Sequence, residues 1–456
     1  MESKRVAVIG AGPSGVAQLR GFKLSANQGK KIPEVVCFEK QADAGGLWNL
    51  TWRVGIDENG EPVHTSMYKH LCSNGPKEAL EFPDYSFEEH FGKCIPSFPP
   101  RPVLLDYIKA YFTKFQIENW IRFSTVVRDV KFDNQTKKFT VKVHDYKANK
   151  TYSEEFDYVV NASGHYHTPN YPEFPGFPDF EGEILHSHDY RDARIYKGKN
   201  LLVIGRSYSA EDIASQCYKF GAKNIYISWR SAPLGFKWPE GVKEVPLLQK
   251  VDKKTAYFKD GTTAEVDVII LCTGFRHHYP HFHEDIRLDS PNCLWLDQLY
   301  KGVVWKKNPQ CFYLGAQDQF FTFNMFGTQA WYVRDIILGD IKVPDTIEEM
   351  DKRDKYFMEQ VHKLKTPIDM INFQGDHIID LLKETDYNRD KFDVEGMKKA
   401  FFDWEEDKVE NIMTFRDKTF KSLITGNMQA EPYLPWLKDF TQTTEEYLAL
   451  GKNNSK

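Results

Sequence analysis

The chain has 456 residues, 41% of them hydrophobic and 27% charged, with a formal net charge of −5. This composition is typical of a globular protein that buries a large core over two or three domains. The slightly acidic balance provides no basic surface for nucleic acid, so we expect no nucleic-acid partner.

The cysteine spacing and the hydropathy pattern indicate the cellular location to expect. The seven cysteines form no CxxC or CxxxxC pair, which argues against a disulfide framework, a zinc cluster and a redox dithiol. The N-terminus shows no signal peptide, and no apolar run approaches the roughly 18 residues that span a bilayer. We therefore expect a cytoplasmic protein with no membrane partner.

A nucleotide-binding pattern opens the chain. An apolar strand is predicted at Arg5–Ile9, and the glycines of a GxGxxG turn, Gly10, Gly12 and Gly15, follow before a helical pattern. The first glycine makes the tight turn, the second admits a pyrophosphate, and the third lets helix and strand pack closely. A glycine turn without a ligand is the alternative, but the flanking strand and helix favour a dinucleotide site.

The residue at the end of the next strand selects the nucleotide. The strand EVVCFEK reaches Glu39, whose carboxylate can accept hydrogen bonds from ribose hydroxyls and repels a 2′-phosphate. The first site is therefore predicted to take FAD or NAD rather than NADP.

A second, degenerate copy of the pattern occurs in KNLLVIGRSYSAED. Gly205 is kept, while Ser207 and Ala210 replace the second and third glycines. The strand that follows, NIYISWR, ends in Arg230 and is followed by Ser231, and a guanidinium there can hold a 2′-phosphate through paired hydrogen bonds. A solvated charge at a strand end is the alternative. Together the two sites predict FAD and NADPH.

The order of these patterns predicts an α/β fold with two Rossmann-like domains. A hairpin and a strand precede the Pro-rich stretch TPNYPEFPGFP, and HHYPH marks a second break after the second pattern. NASGH and LCTGF end apolar runs with small residues where the chain would cross between domains. We expect the FAD domain in residues 1–168 and 280–456, with charged helices after about residue 345, and the inserted NADPH domain in residues 169–279.

Four residues between the two patterns carry a family resemblance. Phe180, Gly182, His186 and Tyr190 stand in the spacing FxGxxxHxxxY, which resembles the identifying motif of class B flavin-containing monooxygenases. GGLW and LCTGF resemble two further motifs of that family. The resemblance covers essentially the whole chain. MYKHLCSNGPKE, GRSYSAEDIASQCY, FNMFGTQAWY and ENIMTFRD are close to its bacterial soluble branch, which includes members that oxidise trimethylamine.

The resemblance implies a reaction. NADPH would reduce the flavin, molecular oxygen would add at flavin C4a, and the hydroperoxide would oxygenate a nucleophilic nitrogen or sulfur, as in trimethylamine to trimethylamine N-oxide. An uncoupled NADPH oxidase and a non-enzymatic nucleotide sensor are alternatives. A Baeyer–Villiger monooxygenase is a further one, disfavoured because Tyr190 and Arg191 end the motif where those relatives carry Trp and then Pro or Asp.

The resemblance also implies site residues. Asn74 would lie beside the flavin and nicotinamide, Tyr208 near the nicotinamide, and Asp318 and Trp404 around a small amine or sulfide. The alternatives are a turn asparagine, a packed aromatic, a loop carboxylate and a core tryptophan. The expected FAD contacts are Gly10, Gly12, Ser14, Gly15, Glu39, Gln41, Leu47, Trp48, His64, Asn74, Val127, Gln317 and Thr322. The expected NADPH contacts are Cys72, Gly205, Ser207, Tyr208, Ser209, Arg230, Ser231 and Arg416.

Two residues depart from the family pattern. Cys72 stands where family members carry Trp, and Arg206 is bulkier than the usual small residue, so both affect the expected substrate range and cofactor affinity. The histidines 277, 278, 281 and 283 surround a proline and form no helical i, i+4 pair, so we expect no metal. The charged C-terminal helices are predicted to have solvated faces, and we expect a homodimer, the commonest oligomer.

Overall fold

The computed structural model describes residues 3–387, 392–429 and 443–453. Its helices are α1 (Pro13–Asn27), α2 (Phe87–Phe91), α3 (Arg101–Lys114), α4 (Tyr208–Lys219), α5 (Phe323–Leu338), α6 (Ile347–Gln360), α7 (Pro367–Leu382), α8 (Val394–Glu410) and α9 (Thr444–Asn453). Its strands are β1 (Arg5–Ile9), β2 (Glu34–Phe38), β3 (Ile121–Arg122), β4 (Thr125–Asp133), β5 (Lys138–Asp145), β6 (Lys150–Phe156), β7 (Tyr158–Asn161), β8 (Glu183–His186), β9 (Asn200–Ile204), β10 (Asn224–Ser228), β11 (Val242–Val245), β12 (Leu248–Asp252), β13 (Thr255–Phe258), β14 (Thr263–Glu265), β15 (Val268–Leu271), β16 (Leu299–Tyr300), β17 (Val304–Trp305) and β18 (Cys311–Tyr313).

The larger sheet has the strand order β16-β17-β18-β7-β1-β2-β3. β1 lies in its interior and pairs in parallel with both β2 and β7. After Arg5 the strand is apolar, because both of its faces are covered. Val6 and Val8 pack into one apolar cluster, and Ala7 and Ile9 pack into another.

The smaller sheet repeats this design. Its order is β11-β10-β9-β15-β8, and all of its pairings are parallel. β9 is covered on both faces, with Leu201 and Val203 in one cluster and Leu202 and Ile204 in another. All of its strands fall between β7 and β16 of the larger sheet in chain order. The predicted α/β fold with one nucleotide-binding unit inserted into another is confirmed.

Antiparallel strands accompany each sheet. β4-β5-β6 forms a meander that includes the predicted hairpin, and β12-β13-β14 forms another in the inserted part. The predicted strand after the hairpin is β7. Within the described residues, no helix combines the length and apolarity that crossing a bilayer requires.

The C-terminal helices are only partly as predicted. α6 begins at Ile347, close to the predicted start of the charged helical segment. The prediction of a solvated surface is wrong for one face of α8, where Phe401 and Trp404 are buried together with Lys398 and Lys408. Lys398 tolerates burial because its ammonium pairs with Asp376 at 2.8 Å and Glu395 at 2.9 Å. Burial of an ammonium requires such partners.

Replacing Gly15 by alanine should disrupt the contact between α1 and β1. A Cβ at this position would lie 1.9 Å from the Gly10 carbonyl oxygen, so the backbone of the turn would have to move. We expect a loss of about 1–3 kcal/mol or more in the free energy of unfolding, and a lower Tm by circular dichroism.

Gly21→Ala in the same helix is the matched control. There the nearest atoms to an added Cβ lie at 3.6 Å, an ordinary contact. Its expected effect is a gain of up to about 1 kcal/mol from helix propensity. Equal Tm values for Gly15→Ala and wild type would contradict the packing argument.

Candidate active site

A cavity of about 1540 Å³ is lined by the turns that follow the first strand of both sheets. Pockets for one small ligand usually measure about 300–1,000 Å³, so this cavity has room for two large ligands. The predicted residues that line it are Gly10, Gly12, Ser14, Glu39, Gln41, Leu47, Trp48, His64, Cys72, Asn74, Val127, Gly205, Ser207, Tyr208, Ser209, Arg230, Ser231, Asp318, Thr322 and Trp404.

The first turn leaves its backbone open to the cavity. Gly12 precedes α1 as its N-cap residue, and no side chain caps the helix. A Cβ on Gly12 would meet nothing closer than Gly46 Cα at 3.5 Å. The first N–H groups of α1 are therefore available to an anion, as a pyrophosphate requires.

Glu39 is fixed beside this turn. Its Oε2 accepts from the Ala11 N–H at 2.6 Å, and its Oε1 accepts from the Gln41 N–H at 2.8 Å. Burial raises the pKa of this carboxyl, while the two N–H groups act in the opposite direction. Each oxygen keeps a further lone pair that can accept from a ribose hydroxyl. These residues fit the adenosine half of FAD.

The remaining FAD candidates form the rest of this wall. Leu47 and Trp48 lie in a short 3₁₀ turn, and Gln41 Nε2 donates to the Gly46 carbonyl at 3.1 Å. His64 stacks on His167 with 4.7 Å between ring centroids. Burial lowers the pKa of His64 well below its ordinary value, so its imidazole is neutral. Val127 lies in β4, and Thr322 is the N-cap residue of α5.

Three predicted residues do not line this cavity. Gly15 is packed against the first turn. Gln317 is buried, where its Nε2 donates to the Gly302 carbonyl and its Oε1 accepts from Gln329 at 3.0 Å. Arg416 lies behind the wall rather than in it.

The second turn is open in the same way. Gly205 has φ +144°, and a Cβ there would lie 2.1 Å from the Cys272 carbonyl oxygen. Ser207 is the N-cap residue of α4, and no side chain caps this helix either. Its N-terminus, with Ser207 and Ser209, faces the cavity and fits a second pyrophosphate.

Two arginines converge at the end of β10. Arg206 Nη1 donates to Ser231 Oγ at 3.3 Å, and Arg230 lines the same wall. Within the described residues, neither guanidinium pairs with a carboxylate. This unneutralised charge fits the dianionic 2′-phosphate of NADPH. The sequence marked Arg206 only as a departure, although its place in the turn was a usable signal.

Tyr208 and Trp404 lie together, with 5.5 Å between ring centroids. The Lys408 ammonium lies 4.1 Å from the centroid of Trp404 and 4.9 Å from that of Tyr208. It pairs with Glu211 at 3.3 Å and Glu405 at 3.2 Å. A resident cation therefore already contacts Trp404, the aromatic residue predicted to receive a methylated amine, and the sequence did not reveal it.

Asp318 lies on the cavity wall with a fixed carboxylate. Its Oδ1 accepts from the Tyr166 hydroxyl at 2.8 Å and from the Gln319 N–H at 3.1 Å. The pKa of Tyr166 is raised well above its usual range by burial and by Asp318, so the phenol is the donor. Sequence reasoning missed Tyr166, for which no local motif exists.

Asn74 projects into the cavity, and Cys72 lies buried two residues before it. Arg416 contacts Asn74 from behind, with Nη2 3.5 Å from its Oδ1. The arginine is itself paired with Asp212 at 3.0 Å. The structure thus brings Asn74, Tyr208, Asp318 and Trp404 to one cavity.

The predicted histidine cluster is dispersed among other partners. His277 contacts the Ser290 and Ala316 carbonyls at 2.6 and 2.7 Å, and His283 Nε2 lies 3.0 Å from Asp129. Within the described part of the chain, no three His, Cys, Asp or Glu residues are grouped as metal ligands would be.

Comparison with known proteins places this site in a family. Residues 3–235 match the flavin-binding monooxygenase-like family. The trimethylamine monooxygenase of Methylocella silvestris is 56% identical over 434 residues, which cover 95% of this chain and 96% of that protein. The crystal structure of Tmm from Pelagibacter sp. strain HTCC7211 matches with a TM-score of 0.94 at 49% identity, over 97% of this chain and 100% of that one. S-allyl-L-cysteine S-oxygenase from Allium sativum matches with a TM-score of 0.78 at 26% identity, over 91% and 95% of the two chains.

Fold and site define an enzyme that binds two dinucleotides. The chain belongs to the flavin-binding monooxygenase-like family. It is a flavin-dependent monooxygenase whose cofactors are FAD and NADPH and whose co-substrate is O2. The predicted family and enzyme class are confirmed.

Acid should destabilise the protein in part through His165 on the cavity wall. This residue is only 2% exposed, and burial lowers its pKa to about 3, whereas an unfolded histidine titrates near about 6.5. Below about pH 6.5 the unfolded chain binds a proton that the folded chain refuses, so stability falls as pH falls.

His165→Gln removes this proton-binding site while keeping a donor for the Gly315 carbonyl, which contacts His165 Nδ1 at 3.0 Å. The stability lost between about pH 6.5 and about pH 5 should shrink by about 1.6 kcal/mol in the variant. Urea titrations of both proteins at the two pH values measure this difference. Parallel pH profiles would show that His165 does not contribute.

Proposed function

We propose that this protein oxygenates trimethylamine: trimethylamine, O2, NADPH and a proton give trimethylamine N-oxide, NADP⁺ and water. One observation carries the proposal. A single cavity joins both nucleotide turns to Asn74, Asp318, Tyr208 and Trp404, and no second large cavity is needed. The names of the relatives in Methylocella silvestris and other bacteria support the same substrate.

The cofactor contacts follow from the two turns. Gly12, Ser14 and Glu39 would hold the adenosine and pyrophosphate of FAD, and Ser207 with Arg230 would hold NADPH. Bound FAD supplies the reduction of O2 by electrons from NADPH. The protein positions these groups and keeps water away from them with the aromatic wall that includes Phe401.

The substrate contacts follow from the chemistry of an amine. A protonated trimethylammonium has no lone pair to attack, so a proton must leave before oxygenation. Asp318 would accept it, directly or through water, while Tyr166 holds the carboxylate in place. Trp404 would contact the methyl groups, and Tyr208 would lie near the nicotinamide.

Domain limits, location and assembly are further parts of the proposal. The FAD domain would comprise residues 1–168 and 280–456 and the NADPH domain residues 169–279, because all strands of the smaller sheet fall within the second range. A cytoplasmic location is supported by the seven free cysteines. A homodimer is proposed on the general frequency of that assembly.

The test is the yield of product for each NADPH consumed. Nuclear magnetic resonance measures trimethylamine N-oxide, absorbance measures NADPH, and a peroxidase assay measures hydrogen peroxide. Nearly one N-oxide for each NADPH is expected. Tetramethylammonium, which has the same methyl groups and no lone pair, is the control and should yield no product. NADPH consumption that yields only peroxide, with or without trimethylamine, would establish an oxidase instead.

Asn74→Ala should keep FAD bound and lose product formation. The residue projects into the cavity, so truncation removes a polar group from the reacting region without opening the core. We expect product per NADPH to fall by about tenfold or more, with peroxide rising to match. Asn134→Ala, the same change at an exposed turn, should behave as wild type. Normal oxygenation by Asn74→Ala would withdraw its catalytic role.

Arg206→Ser and Arg230→Ala should each weaken NADP⁺ binding while leaving NAD⁺ binding unchanged. Hydrogen bonds to a charged group contribute about 1.5–3 kcal/mol, so each change should raise the Kd for NADP⁺ by about 10- to 100-fold. Isothermal titration calorimetry of FAD-loaded protein measures both nucleotides. Arg353→Ala, at a surface pair with Glu349, is the control. An equal loss of NAD⁺ affinity would contradict a 2′-phosphate contact.

A further inference from the structure

A buried ion pair lies behind Asn74. Asp212 of α4 and Arg416, from the segment after α8, are 3% and 5% exposed, and their Oδ1 and Nη2 atoms are 3.0 Å apart. The second carboxylate oxygen of Asp212 accepts from the Tyr68 hydroxyl at 2.5 Å and from Gln216 Nε2 at 2.7 Å. Asp212 is therefore held on three sides and can hold Arg416 in one place.

Arg416 in turn grips the loop that carries Asn74. Its Nε donates to the Ser73 carbonyl at 3.1 Å, and its Nη2 makes a longer contact of 3.5 Å with Asn74 Oδ1. One guanidinium thus contacts both the backbone before Asn74 and its side chain.

The contact between Arg416 and Asn74 sets the orientation of the Asn74 side-chain amide. A guanidinium has donors and no acceptor, so only the oxygen of Asn74 can point toward Arg416. The Nδ2 group, which has no partner among the described residues, then points away from Arg416. Asn74 is on the cavity wall and exposed, so its two N–H donors are available there.

We infer that the Asp212–Arg416 pair is a positioning device that presents Asn74 to the cavity as a hydrogen-bond donor. It also ties the Asn74 loop to α4, whose first residues Ser207 and Tyr208 line the NADPH side. The inference rests on the proposed role of Asn74. It adds that Asp212, more than 100 residues away along the chain, acts through Asn74 without touching the cavity ligands.

The energetics of burial favour a positioning role over a stabilising one. Buried ion pairs contribute little net stability, because the desolvation of both charges offsets their attraction. What such a pair does supply is one defined geometry. If the Asn74 amide were turned over, its N–H groups would face the N–H donors of Arg416. No hydrogen bond could then form between the two side chains.

The principal test is Asp212→Asn, which keeps the shape and removes the charge. Product per NADPH should fall by about tenfold, while the rate of flavin reduction by NADPH changes by less than about twofold. Asp354→Asn, the same change at a buried aspartate of α6, should leave the product yield unchanged. A wild-type yield from Asp212→Asn would overturn the inference.

A double-mutant cycle separates positioning from general damage. If Asp212 acts through Asn74, adding Asp212→Asn to Asn74→Ala should lower the yield no further. An additional loss would show an independent effect and overturn the inference. Without turnover, the change in the flavin absorbance spectrum on adding NADP⁺ should be the same in Asp212→Asn and Asn74→Ala, and different from wild type.

Asn74→Asp keeps the test open if Asp212→Asn fails to fold. This variant retains an oxygen facing Arg416 and loses the Nδ2 donors, so it should couple as poorly as Asn74→Ala. Normal coupling by Asn74→Asp would refute donation by Asn74. If the wild-type protein forms no N-oxide, the proposed function itself is refuted. If the wild type and the variants form equal amounts of N-oxide per NADPH, only the inference about Asn74 is refuted.

Discussion

In each nucleotide turn, the first glycine is in close contact with a segment in which the chain leaves one sheet for the other. These two contacts set the geometry of the molecule. A Cβ on Gly10 would lie 2.7 Å from the Ala162 carbonyl oxygen, and one on Gly205 would lie 2.1 Å from that of Cys272. Ala162 follows β7 and Cys272 follows β15, the strands after which the chain leaves one sheet for the other. Because only glycine fits there, each turn stays against its crossing, and the N-termini of α1 and α4 open onto one cavity.

The nucleotide turns and their flanking strands could be predicted from short stretches of sequence. The two turns, the strands around them and the residues that distinguish ribose from 2′-phosphate lie within short windows, where spacing has a direct structural meaning. The insertion of one sheet into the other followed from the order of these windows. The family resemblance then predicted part of the cavity wall, including Asn74 and Asp318.

The residues that sequence reasoning missed are defined by contacts between distant segments. Tyr166 donates to Asp318, and Asp212 pairs with Arg416, across separations that no motif spans. Lys408 looked solvated because α8 is rich in charge, yet it is 1% exposed. A charged residue in a helix reveals its environment only through its partners, and one of the two partners of Lys408, Glu211, lies on the distant helix α4. Gln317 is the converse case, since the family pattern suggested a ligand contact and the structure shows a core hydrogen-bond network.

Two buried ion pairs join α4 to the C-terminal part of the chain. Glu211 pairs with Lys408, and its neighbour Asp212 pairs with Arg416. Adjacent residues on a helix point in different directions, so the two pairs fix the rotation of α4 as well as its distance from α8. Tyr208 begins α4 and contacts Trp404 of α8, so the aromatic pair joins the same two helices as the Glu211–Lys408 pair. An oxygenation that must exclude water needs both nucleotides and the substrate held in one arrangement. Paired charges with fixed geometry contribute to that constraint even where their burial adds little net stability.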